Sequence, residues 1–570
     1  MTTRKIANIN WHRTIILMIL CLFGLSVVFS AKPRRQRAGA KKEDPRVYLE
    51  HADELEYDVY GPRPDVQIAR GKVKFRHKGG ILTCDSAYFN EQSNSFEAFG
   101  NVFMKQGDTL TLKSEWAWYD GNDERAEARR NVVLTHRKSK LYCDSLDYDR
   151  MYGVAYFFDG GKLIDKGSTL TSDWGQYNTE TREAVFYYKV RLKNKNMTMY
   201  SDTLYYDTRT SVAHIVGDYT SDKNEVGPSM IVNQGNVVHT TDGYYNTNTE
   251  ASVLYGRSTV DNEDKTITAD SLFSDSKKKI DEGFGRVVYI DKKNKNKFLG
   301  NHIYYDENIG YGYATDSAVV MDFSQKDTMY IHADSLKLYT YNINTDSVYR
   351  IMHGFHKVRA YRTDIQAVCD SLVFNSKDSC LTLYKDPIAW NMGRQVLGEI
   401  MHAYMQDSTI RYADVIGQAM SIERMDSAHY NQLAAKEMQV YFTEGKARET
   451  WAIGNVQAVY YPIDDVDTTI IGLNFLETDT MKMYLSPERK LEKIWASKST
   501  GTMYPITQIP PDKLRLPAFA WFDYIRPKNK DDIFFWRGKG KENELKQEKR
   551  REAPKRKITP LSGPSDTLSP

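Results

Sequence analysis

A pattern that returns at a fixed interval restricts a chain to arrays of stacked equivalent units, because one short unit cannot bury its apolar face alone. This 570-residue chain carries such a pattern: a small residue, an acid, often Ser or Thr, an apolar residue, then an aromatic one or two positions later. It reads Ala52-Asp53-Glu54-Leu55-Glu56-Tyr57, Cys84-Asp85-Ser86-Ala87-Tyr88-Phe89, Ser114-Glu115-Trp116-Ala117-Trp118-Tyr119 and Cys143-Asp144-Ser145-Leu146-Asp147-Tyr148. Further copies are centred on Asp173, Asp202, Asp242, Asp270, Asn301, Asp334, Asp370, Glu399, Lys436 and Asp479. The spacing is 29 or 30 residues from Asp85 to Asp202 and 28–43 thereafter, as expected for longer loops on one architecture.

A second element alternates with the first: Gly100-Asn101-Val102, Arg130-Asn131-Val132, Gly217, Gly285-Arg286-Val287 and Gly454-Asn455-Val456. Turn-formers such as Asn90-Glu91-Gln92-Ser93-Asn94 separate the two, and alternation bounded by such residues is a strand–turn–strand signal. With the acid numbered zero, apolar or small residues fall at −3 and −1 (Leu82, Leu112, Leu141) and again at +2 and +4 (Ala87, Phe89, Tyr119, Leu146, Tyr148, Leu204, Tyr206). The step from −1 to +2 is odd, whereas one face of a strand repeats every two residues. Each segment must therefore slip phase through a bulge or bend at its middle. Asp85, Asp144, Asp202, Asp270, Asp334 and Asp370 mark these bends, with Gly100, Gly217 and Gly285 on the partner segments, since glycine takes φ > 0 cheaply. Each segment then supplies one strand to each of two facing sheets. The predicted fold is all-β, an elongated open antiparallel β-jelly-roll.

This geometry explains the acid column without chemistry. Asp or Asn followed by Ser can bond nearby backbone and stabilise a bend. Lys436 stands in the column where the apolar framework persists, and a catalytic or metal role would not survive a lysine there. No HExxH, GxSxG or phosphate-binding loop occurs, His136, His214, His239 and His402 stand singly, and the carboxylates Asp147 and Asp149 are one of many such spacings. The reading is a non-enzyme without metal or cofactor. With 78 Lys+Arg against 75 Asp+Glu, no basic field invites nucleic acid. Five cysteines with no CxxC pair make neither a disulfide scaffold nor a zinc site; Cys84, Cys143 and Cys369 share the −1 position as packing groups.

The N-terminus reads as an export signal over 1–30. Arg4, Lys5 and Arg13 precede an apolar run from Thr14 to Phe29, with Val28 and Ser30 suited to cleavage. A basic linker follows over 31–46, and its charge is also compatible with an uncleaved inner-membrane anchor. The repeat array spans 47–501. Beyond it, Pro505, Pro510, Pro511, Pro517 and Pro527 interrupt strands while aromatics persist, so 502–536 reads as a docking segment or a cap on the last sheet edge. The charged stretch 537–570 reads as a disordered tail.

The alternation of Leu-x-small-Asp-Ser-x-x-Tyr with Ala-x-Gly-Asn-Val, clearest over Ser95–Tyr119 and Leu433–Val456, resembles the OstA-like, or LptA, family of periplasmic lipopolysaccharide-transport proteins. The resemblance implies a V-shaped jelly-roll whose interior shields the lipid A acyl chains of lipopolysaccharide or lipooligosaccharide. It implies periplasmic localisation and edge-strand pairing with jelly-roll components at the inner and outer membranes. On that reading Leu82, Ala87, Phe89, Leu112, Tyr119, Leu141, Leu146, Tyr148, Leu204 and Tyr206 form the lipid-binding interior. The chain departs in size, being several such domains long. A structural or adhesive repeat protein with a filled core and no lipid is the alternative, and a carbohydrate-active enzyme on a β-solenoid a third. At ~4.8 Å between strands, fourteen units predict an array of about 130–140 Å before twist.

Overall fold

The computed structural model describes residues 44–221, 223–406, 409–464, 469–488 and 490–540. The export signal, most of the basic linker and the tail from 541 lie outside the described residues.

From Tyr48 to Pro505, strands follow one another into one continuous antiparallel sheet, and the helical elements among the described residues are 3₁₀ turns at Ile506–Gln508, Pro511–Lys513 and Asp532–Phe534. The fold is an elongated, all-β jelly-roll. Its long strands, such as Gly80–Asn90, Ser95–Gln106, Leu110–Asp120 and Arg125–His136, hold 11 or 12 residues, and each changes register at its middle. The slips fall between Thr83 and Ser86, Phe99 and Val102, and Lys113 and Trp116. Each strand thus runs in one arm of a V, crosses the vertex, and continues in the other arm, as the odd −1 to +2 step requires.

On the glycine-bearing strands the vertex is two consecutive residues of positive φ: Gly100 and Asn101 at 75° and 43°, Gly454 and Asn455 at 82° and 50°. Glycine is not obligatory there. Arg130-Asn131, Tyr188-Lys189 and His356-Lys357 adopt the same pair of conformations, because ladder hydrogen bonds on both sides over-determine the bend.

The acid column lies across the vertex from these pairs. Asp85 accepts a hydrogen bond from Asn101 Nδ2 at 2.8 Å, and a Cβ on Gly100 would lie 2.5 Å from Asp85 Oδ2. Asp144 accepts from the Asn131 N–H at 3.4 Å, Asp202 from Thr220 Oγ1 at 2.9 Å and Asp270 from Arg286 Nη2 at 2.8 Å. Asp334 pairs with Lys357 and Asp370 with Lys385. Lys436 serves the column with its stem, whose Cδ would lie 3.0 Å from a Cβ on Gly454. One copy is displaced. Thr241, not Asp242, faces Gly256 at the vertex, while Asp242 begins the next strand and bonds His214 Nε2 at 3.0 Å. Gly217, at φ 87°, donates its N–H to the Thr241 carbonyl at 2.8 Å.

Gly472–Leu485 is not an edge; Leu491–Ser497 and Thr500–Pro505 pair onto it side by side and form the last edge. The segment after Pro505 does not cap that edge. It turns back as a strap across the outer face of one arm, where Leu516, Phe522 and Ile525 join Trp390, Ile422 and Tyr461 in a separate apolar core. Arg537 and Lys539 still hold Asp532 and Asp386, beyond the 536 boundary read from sequence.

The strap is fastened by buried glutamines at the −4 position of three successive copies. Gln395 donates to the Ala520 carbonyl at 2.7 Å and accepts from the Phe522 N–H at 2.8 Å. Gln432 does the same to Leu514 and Leu516, at 2.9 Å each. Gln366 accepts from Arg526 Nε at 2.8 Å.

Candidate functional site

The concave interior between the arms is where the inward columns of every repeat meet, so it is the candidate site. It has two unlike halves.

In the first half, up to Tyr245, the ten residues assigned to the interior from sequence are 0–6 % exposed and packed side by side. Rings fill the space. Phe75 stacks on Phe96 at 4.1 Å between centroids, and Phe157, Tyr177, Phe186 and Tyr206 continue the same core. The mouth of the V is closed from rim to rim by the +4 tyrosines, each bonding a residue 41 or 42 positions earlier at the tip of the opposite arm. Tyr119 O–H meets His77 Nδ1 at 2.7 Å, Tyr148 donates to Gln106 at 3.5 Å, Tyr177 meets His136 Nδ1 at 2.8 Å, and Tyr206 donates to Asp165 at 3.2 Å. Lys78–Glu124 at 2.5 Å and Lys166 on the Thr208 carbonyl at 2.7 Å cross the mouth as well. Burial and neighbouring cations hold the His77 and His136 imidazoles below the ordinary histidine value. Burial pushes the Tyr206 phenol up to about 12.

The row of clasps stops at Tyr245. Its hydroxyl is buried with no hydrogen-bond partner, and burial pushes its phenol up to about 12. Asn196 bonds Glu250 from rim to rim at 2.8 Å, and the ion pair Lys265–Asp281, at 3.7 Å, is a last contact across the mouth beyond it. Past it, the rim contacts run along one rim: Lys279–Glu307, Lys292–Asp261, Thr363–Asp327 and Arg394–Glu423.

In the second half the same columns come to the surface. The −1 and +2 residues near the vertex stay buried, as Ala333, Leu336, Cys369 and Leu372 do. Of the −3 and +4 residues nearer the rims, Phe298, Tyr305, Ile331, Leu338 and Phe374 are partly exposed. Side-chain volume is the cause. The buried members of this core include nine alanines and no aromatic ring, with Met401, Met438 and Met481 among them and Met329, Met352 and Met483 at the margin. Alanine leaves room between the arms, and methionine is the most adaptable apolar side chain against a flexible ligand.

Residues 44–202 match the family model of the OstA-like proteins. That stretch is OstA-like. It coincides with most of the sealed half, so the open half is where this chain continues beyond the OstA-like match. Among solved structures the chain is similar to LptH of Pseudomonas aeruginosa, the LptA homologous periplasmic component of the conserved lipopolysaccharide transport device. The two share 17% identity with a TM-score of 0.20, over 22% of this chain and 94% of that one. No curated protein matches the chain.

The remaining chemistry-bearing residues are engaged structurally. Asp147 pairs with Arg129 at 2.7 Å, and His402 meets Thr382 Oγ1 at 3.0 Å. Burial pushes the Cys84 and Cys143 thiols up to about 12, far from a reactive thiolate. Among the described residues no group of three or more His, Cys, Asp or Glu could hold a metal. A surface concavity of about 440 Å³ lined by Asn131, Asp144, Asp159 and Lys162 lies on the outer side of the bends, away from the apolar interior.

The sequence reading missed the rim clasps, although a polar residue 41 or 42 positions before each +4 tyrosine was there to be found. It also missed the strap's seat. Its signal was a change on the outer face, where −4 and −2 read Gln366/Val368, Gln395/Leu397 and Gln432/Ala434 in place of Thr111/Lys113.

Proposed function

We propose that this protein is an exported, non-enzymatic conduit whose interior shields the acyl chains of lipopolysaccharide or lipooligosaccharide between the inner and outer membranes. The observation that carries the reading is the continuous apolar interior of a bent sheet, with partly exposed members such as Phe298, Ile331 and Leu338 in its second half, in a chain whose first part is OstA-like. An interior line of exposed apolar groups is costly in water unless something covers it, at roughly 25 cal/mol per Å². The terminal strands Glu54–Tyr57 and Thr500–Pro505 expose Leu55, Tyr57 and Met503, and open edges of this kind can pair with a partner jelly-roll at either membrane.

A photo-crosslinking amino acid placed at inward positions in living cells, followed by a blot for lipopolysaccharide, tests the proposal. Adducts at inward positions and none at outward ones support it; no adduct anywhere removes it. The second reading, a repeat strut without ligand, is favoured by the filled core of the first half. It predicts that adducts are absent along the whole array.

A further inference from the structure

Two observations, independent of the clasps, distinguish the open half. The first is charge. The strand Ile280–Asp291 crosses from one rim to the other, and both hairpins flanking it are lysine-rich: Lys277, Lys278 and Lys279 on one rim, Lys292, Lys293 and Lys295 on the other. All six are exposed. Lys278, Lys279 and Lys292 pair with Asp275, Glu307 and Asp261, whereas Lys277, Lys293 and Lys295 have no ion pair among the described residues. Ammonium groups without an ion pair thus stand on both lips of the V beside its last rim-to-rim contact, Lys265–Asp281, and above the partly exposed Phe298 and Ile303; of these, Lys277 Nζ also donates to the Asn248 carbonyl on its own rim.

The second is the strap. Where facing columns no longer bury one another, an arm loses the packing that holds it in place. Here the lost inner packing is matched by an outer core, in which Leu516 and Phe522 cover Trp390 and Ile422 on the back of the arm. The open half therefore has its own means of staying open.

Resting on the lipid-conduit reading above, we infer that the opening between the lysine-rich hairpins is a binding site for an anionic amphiphile. Phosphate-bearing headgroups sit between Lys277 on one lip and Lys293 and Lys295 on the other. The alkyl chains lie along Phe298, Ile331, Leu338 and Met352, and the clasped first half takes no ligand.

The test uses the full chain and two probes with identical alkyl chains and diazirines, dihexadecyl phosphate and an uncharged dihexadecylglycerol. Labelled residues are mapped by mass spectrometry. Both probes should label the second-half interior and spare Leu112, Leu141 and Leu204. The variant Lys277→Gln/Lys293→Gln/Lys295→Gln should bind the phosphate probe about ten-fold more weakly at low salt and the neutral probe unchanged. Its exposed positions leave the fold intact, which a matching circular dichroism spectrum verifies. Equal labelling of the two halves, or a variant that weakens both probes alike or neither, overturns the inference while leaving the conduit reading in place. No labelling by either probe removes the conduit reading and this site with it.

Discussion

Replacing Gln395 by alanine should free the strap without touching the interior. The wild-type amide makes two hydrogen bonds to the backbone of Ala520 and Phe522, reproducing with one side chain the pair of bonds a neighbouring strand would make. Truncation removes both and leaves the Phe522 N–H buried with no partner. An orphaned buried polar group costs about 1–3 kcal/mol, so the loss at this site is roughly 2–4 kcal/mol once the carbonyl is counted. Gln395 is fully buried, so solvent does not make good the loss. The strap buries Leu516, Phe522, Ile525 and Ile533, at about 1.5–3 kcal/mol each before the entropy of ordering its backbone. A local loss of 2–4 kcal/mol is thus a large fraction of what holds it. Amide hydrogen exchange reads this directly: the Phe522 and Leu516 N–H groups should exchange about 30- to 1000-fold faster, and trypsin should cut sooner at Arg515 and Lys528. Exchange in the first half should not change. Gln457→Ala is the control, since that partly exposed glutamine bonds the Glu477 side chain and should cost under about 1 kcal/mol. If Gln395→Ala opened the strap no more than Gln457→Ala, the clasp argument would be wrong.

Acid should loosen the clasps of the first half. His77, facing Arg150, Lys78 and Glu124, and His136, facing Arg137 and Arg182, are held neutral in the fold. Their contribution is complete above the unfolded value near 6.5 and is lost as pH falls from there toward the lowered folded values. Urea titrations between about pH 7.5 and 5 should show this slope, and His136→Gln should flatten it. Leu146→Ala, fully buried, should cost about 2–5 kcal/mol, whereas Leu338→Ala, partly exposed in the open half, should cost about 1, read by exchange of neighbouring amides. Gly100→Ala should cost about 1–3 kcal/mol from its positive φ and its clash with Asp85, and Asp85→Ala should restore part of the loss in thermal melts. Small-angle scattering should give a maximum dimension above ~120 Å, and a particle of about 70 Å would contradict the stacked array.

The bend was legible because it breaks a parity. Strand faces alternate with period two, so an apolar framework at −3, −1, +2 and +4 has one geometric solution, and Leu141, Leu146 and Tyr148 lie on the inward face that it assigns. The lysine at 436 helped by excluding chemistry from the column. The copy at 242 misled because Thr241 and Asp242 are adjacent polar residues, and the pattern alone prefers the acid to the hydroxyl. Whether the interior is full or open was not read, because that depends on volume summed across two arms rather than on polarity. An alanine and a phenylalanine count alike as apolar in a periodicity, yet Ala360 and Ala367 leave a gap where Phe75 and Phe96 close one. The strap was unreadable for a related reason. Its partners lie far away in sequence, 160 residues between Gln366 and Arg526 and 174 between Arg359 and Ile533, and no local pattern spans that distance.

One repeat geometry therefore supports two mechanical states of the same V. A bent strand fixes the vertex but not the angle between the arms, which is set by what lies between them and at their tips. Tyrosine at +4 supplies both a ring to fill the interior and a hydroxyl to reach the opposite rim, so Tyr119, Tyr148, Tyr177 and Tyr206 close the V at two levels. Where that position becomes Ser274, Leu338, Phe374, Ala403, Val440 or Met483, no side chain has both the length and the polar tip to clasp, and the one tyrosine that persists there, Tyr305, meets Thr340 on its own rim instead. Opening removes inner packing from each arm, and an arm so weakened would curl or pair elsewhere. The strap answers that by burying the back of the arm instead, over the copies from Gln366 to Gln432. An open interior and an apolar outer face are on this argument one adaptation, and a chain that acquired the first without the second would close on itself.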